Sequence, residues 1–229
     1  MKLFGNRLSP FVDKVASALE LKGLAFETVD VKSPRDLRKW NPVTGKIPVL
    51  ELDDGERVWD STFILRRVDE LFPEPGLLST DRATAAAQRQ LEDWADESLY
   101  WYVMSYRWSP TNAEQSLREI LTGVPAMMRA LAGPYVRRMI AKATRAQGLG
   151  RLPEDVLLRE LEARLDDLDI LLGDDQWLVG AQRPSVADLA IAGELRFLGV
   201  SEQGRGLVAA RPGLAKLERR VKEACERKG

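Results

Sequence analysis

The chain contains no histidine, so its chemistry has to come from other side chains. Histidine is the commonest general base near neutral pH and the commonest zinc ligand. Its absence excludes Ser-His-Asp hydrolases and the usual zinc enzymes. Cys225 is the single cysteine, the fifth residue counted from the end of the sequence, so an intrachain disulfide is impossible. That cysteine count fits a reducing, cytoplasmic setting. The remaining chemistry lies in hydroxyls, carboxylates, lysines and backbone dipoles. Three places concentrate them. Ser9-Pro10 and Asp60-Ser61 both read as helix starts, where free N–H groups favour an anion. Between them, Lys46-Ile47-Pro48-Val49-Leu50 sets a proline inside a strand-like run. Proline cannot donate to a sheet ladder and is normally kept at edges and bulges. A cis bond before Pro48 would turn the Ile47 N–H and C=O outward, where they could pair with another peptide as an added strand does.

These residues need a scaffold, and the surrounding pattern supplies one. Lys2-Leu3-Phe4 predicts a short strand. A helix opens at Ser9-Pro10, carries Phe11, Val15, Ala18 and Leu19 at helical spacing, and stops at Gly23. Phe26–Val31 predicts a second strand. Ile47–Leu52 and Arg57–Trp59, joined by Asp53-Asp54-Gly55, predict a hairpin. Asp60-Ser61 then caps a helix running to Leu71, with Pro73 and Pro75 beyond it. The order is β-α-β followed by β-β-α, with the first two strands parallel and the hairpin antiparallel.

Everything after a linker at about 73–81 reads as helical, giving an α/β region at 1–76 and an all-α region at 82–229. Leu91, Trp94, Ser98, Trp101, Ser105 and Trp108 alternate spacings of three and four, which puts the tryptophans on one face as core or as a subunit seam. Leu158, Leu161, Leu165, Leu168 and Leu172 repeat the pattern. Ser185, with Asp188 three residues on, predicts an N-cap with a variant capping box, and Pro212 suits the first turn of a last helix. Composition is that of an ordinary soluble protein: 45% hydrophobic, 30% charged and a formal net charge of −1. That balance argues against non-specific nucleic-acid binding. No apolar run approaches a membrane span or a signal peptide.

Read in order and spacing, Ser9-Pro10-Phe11, Asn41-Pro42-Val43, Lys46-Ile47-Pro48-Val49-Leu50 and Asp60-Ser61 resemble the thioredoxin-like, glutathione-binding domain of cytosolic glutathione transferases, with the tau and omega classes most similar. Gly180, Ser185 and Asp188 match the family's helical-domain capping motif. The resemblance implies an α/β thioredoxin-like domain followed by an all-α domain, and glutathione as cosubstrate. It implies that Ile47 beside cis-Pro48 pairs with the cysteinyl unit, that Lys46 meets the glycyl carboxylate, and that Ser61 and Asp60 hold the γ-glutamyl carboxylate and ammonium. Phe11, the third residue of the Ser-Pro-Phe start, belongs to the same binding set. Where the family more often has Glu or Gln, this chain has the shorter Asp60.

Ser9 is the implied catalytic residue. A cysteine thiol titrates near pH 8.5 and is mostly protonated at neutral pH. A hydroxyl donating to the sulfur at the positive end of a helix favours the thiolate. Lowering that pKa by about two units corresponds to about 2.7 kcal/mol. Omega-class enzymes have cysteine at this position; serine points away from thiol–disulfide exchange and toward thiolate attack on a small, apolar electrophile. The electrophile is expected between the two domains, beside Tyr102, Tyr106 and Trp108. Two alternatives stay open: a non-catalytic glutathione-binding or adaptor protein on the same fold, and a glutathione-dependent isomerase, dehalogenase or peroxidase. A homodimer is the expected assembly. Between Glu119 and Glu154 there is no acidic residue, while Arg129, Arg137, Arg138, Lys142, Arg145 and Arg151 fall there, punctuated by Gly123, Pro125, Gly133 and Pro134. That stretch reads as a solvated basic face, an anion-attracting wall or a docking surface. Gln147–Arg151 faintly resembles metaxin-like members.

Overall fold

The computed structural model describes residues 1–31, 34–122 and 126–226 of the 229-residue chain. Four short strands, β1 (Lys2–Phe4), β2 (Glu27–Val29), β3 (Val49–Glu51) and β4 (Arg57–Trp59), form one sheet in the order β2-β1-β3-β4. β1 and β2 are parallel, with Leu3 opposite Thr28, and the helix α1 (Pro10–Leu21) makes their crossover. β3 runs antiparallel to both β1 and β4, with Leu50 opposite Leu3 and Val58. The strand directions are those the sequence predicts. One helix was not foreseen: α2 (Pro34–Trp40), between β2 and β3. It is seven residues long, and its charged run Arg35-Asp36 and Arg38-Lys39 leaves no apolar periodicity to read.

α3 (Ser61–Leu71) follows β4 and packs against both α1 and the sheet. The rest of the described chain is helical: α4 (Arg82–Trp94), a π-turn (Ala95–Leu99), α5 (Tyr100–Arg107), α6 (Ala113–Ile120), α7 (Ala126–Gln147), α8 (Glu154–Leu172), α9 (Val186–Leu198), α10 (Glu202–Ala209) and α11 (Pro212–Glu226). α9 lies at the centre, buried along nearly its whole length and packed on α1, α4 and α11. Its contact with α1 is close. A Cβ at Gly193 would sit 3.1 Å from the Pro10 carbonyl oxygen, so a side chain there would push the start of α1 away. The start of α1 is thereby seated directly on the helical region.

The Asp188 carboxylate accepts from the Ser185 N–H (2.8 Å), the Ser185 hydroxyl (2.7 Å) and the Leu178 N–H (2.8 Å). The predicted capping box is present, and it also ties down the preceding loop. The leucine stripe is present with one substitution: Leu157, Leu161, Leu165, Leu168 and Leu172 are buried, while Leu158 is half-buried at the edge of that core. The tryptophan stripe is only partly a core face, with Trp94 packed against the core. Trp94, Trp101 and Trp108 are each half-buried, and the π-turn at Ala95–Leu99 interrupts the helical period between Trp94 and Trp101.

Candidate functional site

The first turn of α1 is dictated by its residues. Ser9 is the N-cap, with extended backbone angles, and Pro10 fills N1, where no N–H is missed. The Ser9 carbonyl accepts from the Asp13 N–H at 2.9 Å, but its side chain makes no cap hydrogen bond. The helix is therefore capped through the backbone, and the half-buried hydroxyl is not spent on it. Gly5, just before, has φ +141°, and a Cβ there would stand 2.5 Å from Val12 and 3.4 Å from Ile47. Only glycine lets the end of β1 pass between α1 and the Ile47 loop.

Asn41, 1% exposed, organises that loop. Its side-chain oxygen accepts from the Thr44 N–H (3.0 Å), and its amide donates to the Thr44 hydroxyl (2.7 Å) and the Lys46 carbonyl (3.1 Å). This fixes the turn that presents Lys46 to solvent. The Ile47-Pro48 bond is cis, as the sequence implied, and β3 begins only at Val49, so the Ile47 peptide groups lie outside the ladder. On the far side of β4, Asp60 adopts φ +78° as the N-cap of α3, and its carboxylate accepts from the Thr62 N–H at 3.1 Å. Ser61, buried, is the first residue of α3.

A cleft of about 370 Å³ opens between these parts. Phe11, Lys46, Ile47, Pro48, Asp60 and Ser61 all line it, so six of the seven residues singled out by sequence meet in one place. Ser9 is the seventh, and it is not among the lining residues. Asn41, Thr44, Thr62, Phe63, Arg66, Asp93, Asp96 and Glu97 complete the wall, and sequence reasoning missed them. For Asn41 the signal was there, in the Asn-Pro-x-Thr-Gly turn. For Asp96 there was none, since its place depends on the π-turn.

Behind the wall lies an ion cluster that joins α1, α3, α4 and the π-turn. Lys14 of α1, 1% exposed, donates to Glu92 Oε1 at 3.0 Å and to Asp96 Oδ2 at 2.5 Å. The Thr62 hydroxyl of α3 also donates to Glu92 Oε1, at 3.0 Å. Burial pushes the Asp96 carboxyl up to about 6, against the pull of the Lys14 ammonium. Deeper still, burial raises Glu194 well above the usual carboxylate range and brings the Arg107 guanidinium down to about 10. Arg107 stacks over Phe197 with its carbon 4.0 Å from the ring centre.

The aromatic residues named for the electrophile lie outside this cleft. Tyr106 is buried and donates to Gln203 Oε1 at 2.9 Å, and Tyr102 lies beneath the Arg164 guanidinium at 3.7 Å. Neither these nor Trp108 lines the cleft. Tyr100, at the start of α5, is the ring that meets Phe11, at 4.8 Å between centroids. Among the described side chains of the basic stretch, Arg137, Arg138, Lys142, Arg145 and Arg151 do not line the cleft. Arg137 pairs with Glu114, and Arg151 donates to the Arg145 carbonyl. The predicted breaks at Gly123 and Pro125, and the side chain of Arg129, lie outside the described residues.

Comparison with known proteins places this geometry among relatives. Residues 8–71 match the family described as glutathione S-transferase, N-terminal domain. The isoprene-epoxide–glutathione S-transferase of a Rhodococcus species is 26% identical over 229 residues, covering 94% of this chain and 92% of that protein. A probable glutathione S-transferase of Zea mays is 40% identical over 81 residues, covering 33% of this chain and 34% of that protein. Among solved structures, a glutathione S-transferase of Methylobacterium radiotolerans in complex with glutathione sulfonate superposes with a TM-score of 0.66 at 26% identity. The match covers 96% of this chain and 89% of that one.

Proposed function

The chain belongs to the cytosolic glutathione transferase superfamily, and on that premise we propose that it joins the thiolate of glutathione to a small electrophile. The observation that carries this reading is the convergence of Lys46, Ile47, Pro48, Asp60, Ser61 and Phe11 on one cleft. Their chemistry matches the tripeptide part by part. The unladdered peptide groups of Ile47 suit the cysteinyl backbone, as an added strand would. The exposed Lys46 ammonium suits the glycyl carboxylate. The N-terminus of α3, with the Ser61 hydroxyl, suits the γ-glutamyl carboxylate.

Ser9 would act on the sulfur. Its hydroxyl, not consumed by capping, stands at the positive end of α1, the helix whose second residue, Phe11, enters the cleft. Donation from Ser9 Oγ to the sulfur stabilises the anion. The thiol gives its proton to water, and the thiolate forms a bond to the electrophilic carbon. The departing electron pair goes to the leaving group or to the ring-opened oxygen, which then takes a proton from water. No histidine is required, because the nucleophile arrives with the cosubstrate. The Rhodococcus relative, by its name, uses an epoxide, which is a small electrophile of this kind. A cytoplasmic homodimer is part of the same reading. A second reading, binding without catalysis, is favoured by one fact: Ser9 does not itself line the cleft. Ser9→Ala separates the two. Transferase chemistry requires bound-thiol acidity and turnover with an epoxide or aryl halide to fall together in this variant, and binding without catalysis requires neither to change.

A further inference from the structure

We propose that the outer face of α7 is a reversible docking surface for an anionic phospholipid bilayer, on which the helix lies flat.

α7 packs its inner side on α5, α6 and the turn at Leu149–Arg151. Gly133, Ile140 and Thr144 belong to that side and are buried, and a Cβ at Gly133 would come 3.0 Å from Leu117 of α6. The outer side has no such cover. Tyr135, Arg138, Met139 and Lys142 follow the i, i+3, i+4, i+7 spacing of one helix face. Met128 stands two turns before Tyr135, and Arg145 two turns after Arg138. Met128, Tyr135 and Met139 are 58%, 66% and 52% exposed. An apolar row thus runs beside a basic row along about 25 Å of helix.

The positive charge of that face is not neutralised within the fold. No acidic residue lies in the chain between Glu119 and Glu154. α6, packed against α7, offers Glu114, which pairs with Arg137, and Glu119, matched in number by Arg118 on the same helix. α5 carries only the buried Arg107, and the turn adds Arg151, a further cation. The next acids in the chain are engaged elsewhere, Glu154 by the Ser109 hydroxyl and Asp155 by Arg159. The side chains of Arg138, Lys142 and Arg145 make no ion pair or hydrogen bond with the described residues, and all three are exposed.

Together the two rows select the occupant. An acidic peptide would answer the cations, but peptides seat in grooves or along sheet edges. These apolar side chains instead stand out from the outer side of a single helix. A bilayer surface answers both rows at once. Anionic headgroups meet Arg138, Lys142 and Arg145, while the two thioethers and the Tyr135 ring enter the boundary between headgroups and acyl chains. Tyrosine suits that depth, having an apolar ring and a polar tip. The helix lies on the membrane rather than through it, since no described helix is long and apolar enough to cross one. Docking of this kind would hold the chain where apolar electrophiles concentrate by partitioning. It is independent of the glutathione reading, which would survive its failure.

The test is co-sedimentation of the full chain with vesicles of phosphatidylcholine alone and of phosphatidylcholine with about 30% phosphatidylserine, at about 0.1 M salt. The wild type should pellet with the anionic vesicles and stay in the supernatant with the neutral ones. A cation near an anionic leaflet is worth about fivefold in partitioning, so Arg138→Gln, Lys142→Gln and Arg145→Gln combined should lower it by about 100-fold. Tyr135→Ser with Met139→Ser should lower it by about tenfold and leave its salt dependence in place. Raising the salt to about 0.5 M should release the wild type. The substituted positions are all exposed, so circular dichroism melts of both variants should match the wild type. Failure of the wild type to bind anionic vesicles, equal binding to neutral ones, or undiminished binding by the triple variant would each overturn the proposal. Capture on immobilised polyglutamate without vesicle binding would overturn it in favour of an acidic polypeptide partner.

Discussion

Ser9 is the N-cap of α1 by backbone position, yet its hydroxyl is left out of the capping, and that separates a structural from a catalytic use of one residue. If the hydroxyl serves the sulfur, removing it costs a hydrogen bond to a charged group, about 1.5–3 kcal/mol, or roughly 10- to 100-fold in thiolate stabilisation. Ser9→Ala should raise the pKa of bound glutathione by about one to two units at almost unchanged affinity, read from thiolate absorbance against pH. An unchanged pKa would remove Ser9 from the mechanism. Cys225 makes the opposite case. It is buried, it donates to the Ser17 carbonyl at 3.3 Å, and burial pushes its thiol up to about 11. It should react with a maleimide at pH 8 only as fast as the chain unfolds; prompt stoichiometric labelling of native protein would contradict this. The cleft residues legible in the sequence were those in contiguous motifs, such as Lys46-Ile47-Pro48 and Asp60-Ser61. Asp96 and Lys14 were not legible, because their meeting is set by packing between residues 82 apart.

The α/β half could be read at the level of its elements because every strand is bounded by a local signal, a turn or a helix stop. α2 escaped for want of one. In the helical half, spacing alone says less: a seven-residue tryptophan repeat implies one face only while the helix keeps its period. The π-turn at Ala95–Leu99 breaks that period between Trp94 and Trp101, and its Asp96 and Glu97 line the cleft wall. The leucine stripe of α8, with no such interruption, survives apart from its first position. The capping box of α9 is a strictly local motif, and it appears as written. Asp188 there satisfies the N–H groups of Ser185 and Leu178, both buried. Asp188→Ala should cost about 2–4 kcal/mol, since it strands those donors without solvent. Chemical denaturation would show it, and a loss under about 1 kcal/mol would mean that other groups take over the bonds.

The two halves of the molecule are joined by more than the chain linking them. α1 packs on α9, Gly193 admits Pro10, and Lys14 and Arg196 reach across with buried or half-buried ion pairs to Glu92, Asp96 and Asp13. Such a shared core should make unfolding a single transition, which coincident tryptophan fluorescence and circular dichroism melts would reveal; two separated transitions would contradict it. None of these cross-contacts could be foreseen from sequence, since they pair residues far apart in the chain. Among the described residues no helix is long and apolar enough to cross a membrane. A proposed homodimer should sediment at twice the 25.7 kDa chain mass. All of these features serve one central claim, that the cleft between Ile47 and Asp60 binds glutathione and lowers the pKa of its thiol. Calorimetric titration with glutathione, followed by thiolate absorbance of the complex against pH, tests that claim most directly. The account predicts saturable binding below millimolar concentration and a bound-thiol pKa at least about one unit under that of the free tripeptide; no binding at millimolar glutathione would contradict it.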